Sequence, residues 1–407
     1  MAKFDFRNSR YAKFFSDKEN LNFLQTLVNK EDVLYTNYGW YLTQGRKASA
    51  ATPTNPSGIA SFTVKGRKLN AAPYMDLRAP LGDSNQTDQG QVILCTGTIP
   101  DFIANGREET AMERKYREDM FAQFGSDADI VAEFVQDVQQ MIDSADSTMN
   151  LLTARLMSTG KIDYSDIGRG IRVPISSAPI PEENFVTAGE TVWSDTENCK
   201  LLEQMKQIED EYREKRDFRG QLVWQVPYQM FHEVILENAQ VKELISNYAH
   251  NPLMWRATAE GQSYTEQLFR QAVADYQGIS PIEIVVEKGR NITHTTDTFI
   301  HGWSENVAVL RPAGDAVEFE YTECLDRLMT ERYGSNLMTS VFATTNGGLG
   351  TLVNITKNNG RFQEWQTDLY MSAVPALIEF PDHLIVDTAT ADETSTSTST
   401  STEETTE

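Results

Sequence analysis

Cysteine is nearly absent. Cys95, Cys199 and Cys324 are the whole set, odd in number and far apart, so they build neither a disulfide framework nor a zinc-ligand spacing, and their usage fits a reducing compartment. Positive charge is also scarce. Against 59 Asp and Glu stand 36 Lys and Arg, a net charge of −23, which excludes a protein that grips nucleic acid over its whole surface. No apolar run approaches a membrane span. The N-terminus, MAKFDFRNSRYAKFF, lacks the apolar stretch of a signal peptide. There is no glycine-rich phosphate loop followed by lysine, no nucleophile elbow and no HExxH pair. Histidine is sparse too, and only His294, Asp297 and His301 gather metal-type ligands in one loop. Their spacing matches no ligand motif and a surface turn is the plainer reading, so no cofactor is expected and a metal-dependent enzyme is the remote alternative. Asn291-Ile292-Thr293 matches a glycosylation sequon, but nothing else suggests secretion.

What is present is organised around Ser126 to Gly160. Val131, Phe134, Val135, Val138, Met141, Ile142, Ala145, Met149, Leu152 and Leu156 recur at three or four residues and predict one face of a long amphipathic helix. Ser126 suits an N-cap, Asp127 and Asp129 suit the positive end of the helix dipole, and Gly160 stands where a left-handed C-cap belongs. No proline interrupts, so the rod extends roughly 50 Å. Its one-sided stripe predicts a helix lying along the surface of something thin; a coiled-coil seam is the alternative.

Ahead of the rod, residues 1–56 read as an arm in which Lys3, Arg7, Arg10 and Lys13 alternate with aromatics, with a short helix from Asp17 to Leu27. The exposed aromatics fit packing against another subunit, or equally covering the chain's own core. IASFTVKGRKL and QVILCTGTI predict two strands joined by a long polar tip that includes Leu81, Gly82 and Asp83, a hairpin that needs a neighbour to lie on. Arg107 to Phe124 reads as a charged helix with a solvated, ion-paired face.

After the rod, KIDYSDIGRGIRVPI reads as strand, turn, strand. Trp193-Ser194 opens a helix with a capping box from Ser194 to Glu197. Strands GQLVWQV and PIEIVVE then alternate with helices, which predicts an α/β unit. ENVAVLRP and DAVEFEYTE are strands on either side of Ala313-Gly314, Asn346-Gly347-Gly348 and Asn358-Asn359-Gly360 are hairpin turns, and QEWQTDLYMSAVPALIEF and HLIVDTA close the fold. The Ser/Thr/Glu tail has nothing apolar to bury and reads as disordered.

The order of these features resembles the major capsid proteins of tailed phages, particularly the lambda-type major head protein. The landmarks are Gly97-Thr98-Ile99-Pro100-Asp101 at the end of the hairpin, Leu156-Met157-Ser158-Thr159-Gly160-Lys161-Ile162 at the end of the rod, and Trp193-Ser194. Val309-Leu310-Arg311-Pro312-Ala313-Gly314 and Ser372-Ala373-Val374-Pro375-Ala376-Leu377 follow. The resemblance implies an α+β, HK97-like capsid fold. Residues 1–56 would be its N-terminal arm, 57–104 the hairpin called the E-loop, and 105–178 a P-domain with the spine helix at 126–160. Residues 179–335 would be an α/β A-domain, 336–390 the C-terminal strands of the P-domain, and 391–407 a tail outside the pattern. The implied function is self-assembly into the hexamers and pentamers of an icosahedral head that encloses double-stranded DNA by weak contact. An encapsulin-like compartment shell is the alternative on the same fold. A separate scaffolding protein, a portal and a decoration protein are the implied partners, with no membrane; assembly would take place in the host cytoplasm. Arg7, Arg10, Lys13, Leu81, Gly82 and Asp83 would act between subunits, and Val131, Phe134, Val138, Met149 and Leu152 would bury the spine. The covalent cross-link of some members would draw on Lys65 or Lys68 and on Asn354, Asn358 or Asn359, although the lambda-type branch is not known for it.

Overall fold

The computed structural model describes residues 43–47, 60–66, 94–105, 127–165, 167, 175–249, 264–276, 278–287, 290–292, 297–322, 338–345, 350–358 and 363–391, with Glu19, Met112, Tyr116 and Asp119 as single helical positions. The arm residues Arg7, Arg10 and Lys13, the hairpin tip, Lys68, His294, Asn359 and the tail lie outside the described residues.

The first elements are strands β1 (Thr43–Lys47), β2 (Ala60–Lys65), β3 (Leu94–Ile99) and β4 (Asp101–Asn105), followed by helix α1 (Asp127–Thr159) of 33 residues. α1 falls within one residue of the expected rod at each end. Gly160 adopts φ 70° and its N–H bonds to the Leu156 carbonyl at 2.8 Å, closing the helix with a left-handed cap. The expected one-sided stripe holds only in part. At Gln136, Gln140, Asp143 and Ser144 the helix faces water, while Met141 and Ala145 are buried. From Met149 onward almost every side chain is buried, including Asn150, Thr153 and Ser158. Their polarity disguises burial because each is satisfied locally: Thr153 Oγ1 and Ser158 Oγ donate to the carbonyls four residues back, at 2.8 and 2.9 Å, and Asn150 Nδ2 donates to the Val286 carbonyl at 3.1 Å. The side chains of Val131, Phe134 and Val138 are outside the described set.

β2 and β3 pair antiparallel, from Ala60 with Ile99 to Lys65 with Leu94, as the hairpin reading expects. The base of the hairpin needs no neighbour, however. Phe62, Val64, Cys95 and Ile99 alternate inward and join the core of their own chain beside α1, while Thr63, Lys65, Leu94 and Thr96 face outward. A period of two buries one face of the pair and leaves the other wet.

Short β5 (Lys161–Ile162) and β6 (Ser176–Ser177) pair with each other, and β7 (Phe185–Ala188) follows. The next helix starts later than its capping-box pattern suggests: α2 runs Leu201–Arg216. Asp195 Oδ1 instead accepts the Asn198 N–H at 3.1 Å, closing a turn, and Trp193 is buried beside Trp224. Then come β8 (Leu222–Pro227), a π-helical turn at Met230–Ile235, α3 (Ala239–Ala249), α4 (Tyr264–Tyr276), β9 (Ile282–Val285), β10 (Arg290–Ile292), β11 (Asp297–Phe299) and β12 (Val307–Pro312). β13 (Val317–Thr322), β14 (Met338–Thr345), β15 (Gly350–Asn358), β16 (Gln363–Leu377) and β17 (Leu384–Ala391) complete the described chain.

Two larger sheets hold eleven of the described strands, and β2-β3, β5-β6 and β10-β11 form pairs of their own. One has the order β1-β13-β16-β15-β14, with β4 also on β16; the other has the order β7-β17-β12-β8-β9. Strand pairing does not follow the expected division at residue 335. β13, expected with the α/β unit, pairs with β16, and β17, expected with the closing strands, lies between β7 and β12. β12 and β13 therefore form no hairpin: the chain changes sheet at Ala313–Ala316 and changes back between β16 and β17. Gly314, at φ 128°, supplies a conformation that a side chain disfavours.

The five-stranded sheet is covered on both faces. Val285, Val309 and Ile385 point to the core that holds α1, whereas Ala308, Leu310, Leu384 and Val386 point to a second core with α2, Phe231 and α4. Burial on both faces explains why β8 and β12 read as continuous apolar runs.

Candidate functional site

The two crossings between the sheets are built from apolar sequence interrupted by charge: VAVLRP before the first, ALIEFPDHLIV through the second. Those interruptions meet in a buried polar seam. Arg311, 3 % exposed at the end of β12, donates to the Pro312 and Gly314 carbonyls at 2.8 and 2.9 Å, and so braces its own crossing. Its guanidinium also lies 3.9 Å from Glu379 on the second crossing and 4.0 Å from Glu283 on β9. Burial weakens the hold of Arg311 on its proton, and Glu379, Glu283 and Asp315 oppose that effect. A buried ion pair of this kind adds little net stability, but removing one partner strands the other charge.

Residues 379–383 are gripped from both sides. Tyr212 of α2 donates its hydroxyl to the Asp382 carbonyl at 2.8 Å. Arg216 stacks over the Tyr212 ring at 4.4 Å, lies 3.8 Å from the Asp382 carboxylate and hydrogen-bonds Asn184. Asn184 Nδ2 reaches the Pro381 and His383 carbonyls, each at 3.0 Å. From the opposite side His383 Nε2 donates to the Met157 carbonyl at 2.7 Å. That carbonyl belongs to the last turn of α1, where the helix offers it no partner, so His383 completes the helix end from 226 positions along the chain.

A second brace joins the α/β region to α1. Glu287 Oε1 accepts the N–H groups of Gly302 and Trp303, each at 2.7 Å, and Oε2 meets His301 Nδ1 at 3.0 Å. Gly302 lies so close to α1 that a Cβ there would sit 2.6 Å from the Leu151 carbonyl oxygen. Within the second core, Glu209 is fully engaged: Trp224 Nε1 and Ser280 N reach Oε1 at 2.7 Å, and Ser280 Oγ reaches Oε2 at 3.0 Å.

These contacts redefine the candidate residues. His301 is engaged by Glu287 and Asp297 lies in β11 paired through Ile292, while His294, the third candidate ligand, lies outside the described residues. Met149 and Leu152 are 0 % exposed in the central core. Lys65 is exposed on the outer face of the hairpin, and the backbones of Asn354 and Asn358 lie in β15. Burial pushes both described thiols up, Cys95 to about 11, which leaves them poor nucleophiles. No described helix is long and apolar enough to cross a membrane. Periodicity passes over Arg311, Glu379, Asp382 and His383; the available signal was charge set inside apolar runs.

No protein-family model matches the chain, and no curated protein matches it. Among solved structures it is similar to one described as a capsid protein of a prophage of E. coli CFT073, at 13 % identity and a TM-score of 0.46, over 90 % of this chain and 98 % of the other. It is similar to the virus-like particle from Pyrococcus furiosus at 8 % identity and a TM-score of 0.37, with 90 % and 98 % covered. The mature capsid of bacteriophage PhiM1 is similar at 10 % identity and a TM-score of 0.37, with 88 % of each chain covered.

Proposed function

We propose that this chain is the major capsid protein of a tailed phage: a structural, non-enzymatic subunit with an HK97-like fold that assembles with itself into an icosahedral head. The observation that carries the reading is the setting of the 33-residue helix. Its C-terminal half threads a core shared with the hairpin and the six-stranded sheet, and the five-stranded sheet with its helices is attached through that core by two crossings.

In this reading α1 and the six-stranded sheet form the peripheral domain, and the five-stranded sheet with α2, α3 and α4 forms the axial domain. The hairpin of β2 and β3, carried on by its polar tip, is the flap that overlaps a neighbouring subunit. The overall charge of −23 suits an enclosing wall, because DNA held inside gains mobility from weak contact. A scaffolding protein and a portal complete the assembly in the host cytoplasm.

The test is negative-stain electron microscopy with sedimentation of the purified chain. Rings of five and six, tubes or closed shells are the expected products. A monodisperse monomer at every concentration and salt overturns the reading. Closed shells recovered from phage-producing cells with protein cargo and no DNA would leave the shell standing and overturn its viral role.

A further inference from the structure

We propose that His383 is a proton-operated latch: its hydrogen bond to the end of α1 holds the 378–383 crossing in place, and uptake of a proton on its other nitrogen releases that crossing. The proposal goes beyond the shell reading and does not depend on it, because the latch lies within one chain.

Three observations carry it. Met157 offers only a carbonyl, so the Nε2 that lies 2.7 Å from it bears hydrogen and the neutral ring must accept at Nδ1. His383 is 0 % exposed, and Nδ1 has no hydrogen-bond partner among the described residues. A second proton would therefore place a cation and an unsatisfied donor where water cannot follow. Finally, the other side-chain hydrogen bonds and ion pairs on the crossing (from Asn184, Tyr212, Arg216 and Arg311) come from the side of the five-stranded sheet, and Ile378 N–H bonds the Ala316 carbonyl at 2.9 Å. Among the described residues the His383 ring makes the hydrogen bond to α1, beside Ile378 and Phe380, which are buried in the core that α1 shares. Loss of that bond leaves the crossing held to the helix by the apolar packing of Ile378 and Phe380 alone, while its polar grips on the side of the sheet stay in place.

The charged surroundings do not rescue the proton. Glu379 and Asp382 lie on the crossing itself, Arg311 and Glu283 on β12 and β9, Arg216 and Tyr212 on α2, and Glu320 on β13; Arg155 of α1 is half-buried and donates to the Asp163 carbonyl. Burial opposes a charge on His383 most strongly, the hydrogen bond to Met157 favours it in part and Arg311 opposes it further, so the ring titrates at about 4 rather than at its ordinary 6.5. Above 6.5 the ring is neutral whether the crossing is closed or open. Between 6.5 and 4 only the open form binds the proton, so each fall in pH favours opening; below 4 both forms are charged and the dependence ends.

Hydrogen exchange by mass spectrometry on the full chain tests this, comparing pH 7 with pH 4.5 after correction for intrinsic rates. The partner is His383→Gln, whose amide keeps a donor for Met157 but binds no proton. In the wild type, protection at 153–162 and 378–386 should fall about 50-fold at pH 4.5 while α2 and α4 keep theirs. His383→Gln should show no such fall. An equal acid loss in the variant overturns the latch, as does a wild-type opening that begins elsewhere. If the variant does not fold, the wild-type map and the NMR titration of the His383 ring decide between the same outcomes. A ring midpoint near 4 that tracks the local loss supports the proposal, and a midpoint near 6.5 or unchanged protection overturns it.

Discussion

Asp217 follows the last residue of α2 with φ 45° and ψ 40°, the left-handed position of a Schellman ending. Its own N–H bonds to Glu214 and that of Phe218 bonds to the Arg213 carbonyl, so the motif is complete except for the glycine it prefers. Asp217→Gly should stabilise the chain by about 1 kcal/mol, because a Cβ is strained there and a carboxylate sits at the negative end of the helix. The exposed ion pair with Arg219 offsets little of this gain. A urea midpoint that falls, with unchanged slope, contradicts the account. Gly302 is the opposite case. Its missing Cβ is the space in which the loop touches α1, so Gly302→Ala should destabilise by about 1–3 kcal/mol, read from the same curves.

At the scale of elements, α1 and the hairpin divide into parts with different duties. Leu152 lies fully buried in the central core, and Leu152→Ala should cost about 2–5 kcal/mol and lower the melting temperature of the isolated subunit. The hairpin base shares that core through Phe62, Val64, Cys95 and Ile99. Deleting Gly82 to Gln89 and closing the gap with Gly-Ser should spare the subunit's melting curve and lower that of assembled particles, if the tip overlaps a neighbour. Equal losses in both curves would place the tip inside one subunit. Exposed Gln136, Gln140, Asp143 and Ser144 and the enclosed C-terminal half of α1 come from one periodic pattern. The difference is the depth of what packs around it, which no period reports.

For the whole molecule, a basic, aromatic N-terminal stretch stands in a chain whose net charge is −23, and the shell reading gives that contrast a role in assembly. Reversing charge at Arg7, Arg10 and Lys13 should leave the subunit folded and weaken contacts between subunits. The defect should depend on salt, since exposed charges are screened over about 10 Å at 0.1 M. Sedimentation across a salt series measures this, and a variant that misfolds as a monomer would assign the arm to its own core.

Local physics was legible without coordinates. The ends of α1 follow from its apolar period and Gly160, and the pairing of β2 with β3 follows from alternation on either side of a polar tip. The paired strands of the closing region follow from Asn-Gly turns between short β-prone runs. Each of these depends on neighbours within a few residues, which a sequence displays directly. Tertiary structure alone decided which sheet receives β13 and β17, because their buried apolar positions, Val317 and Phe319 in β13 and Leu384, Ile385 and Val386 in β17, suit either sheet until the rest of the chain is placed. It also decided that Arg311, Glu379, Asp382 and His383 meet in one seam. Their contacts span up to 226 positions, and a buried charge is tolerable only where such distant partners converge to satisfy it.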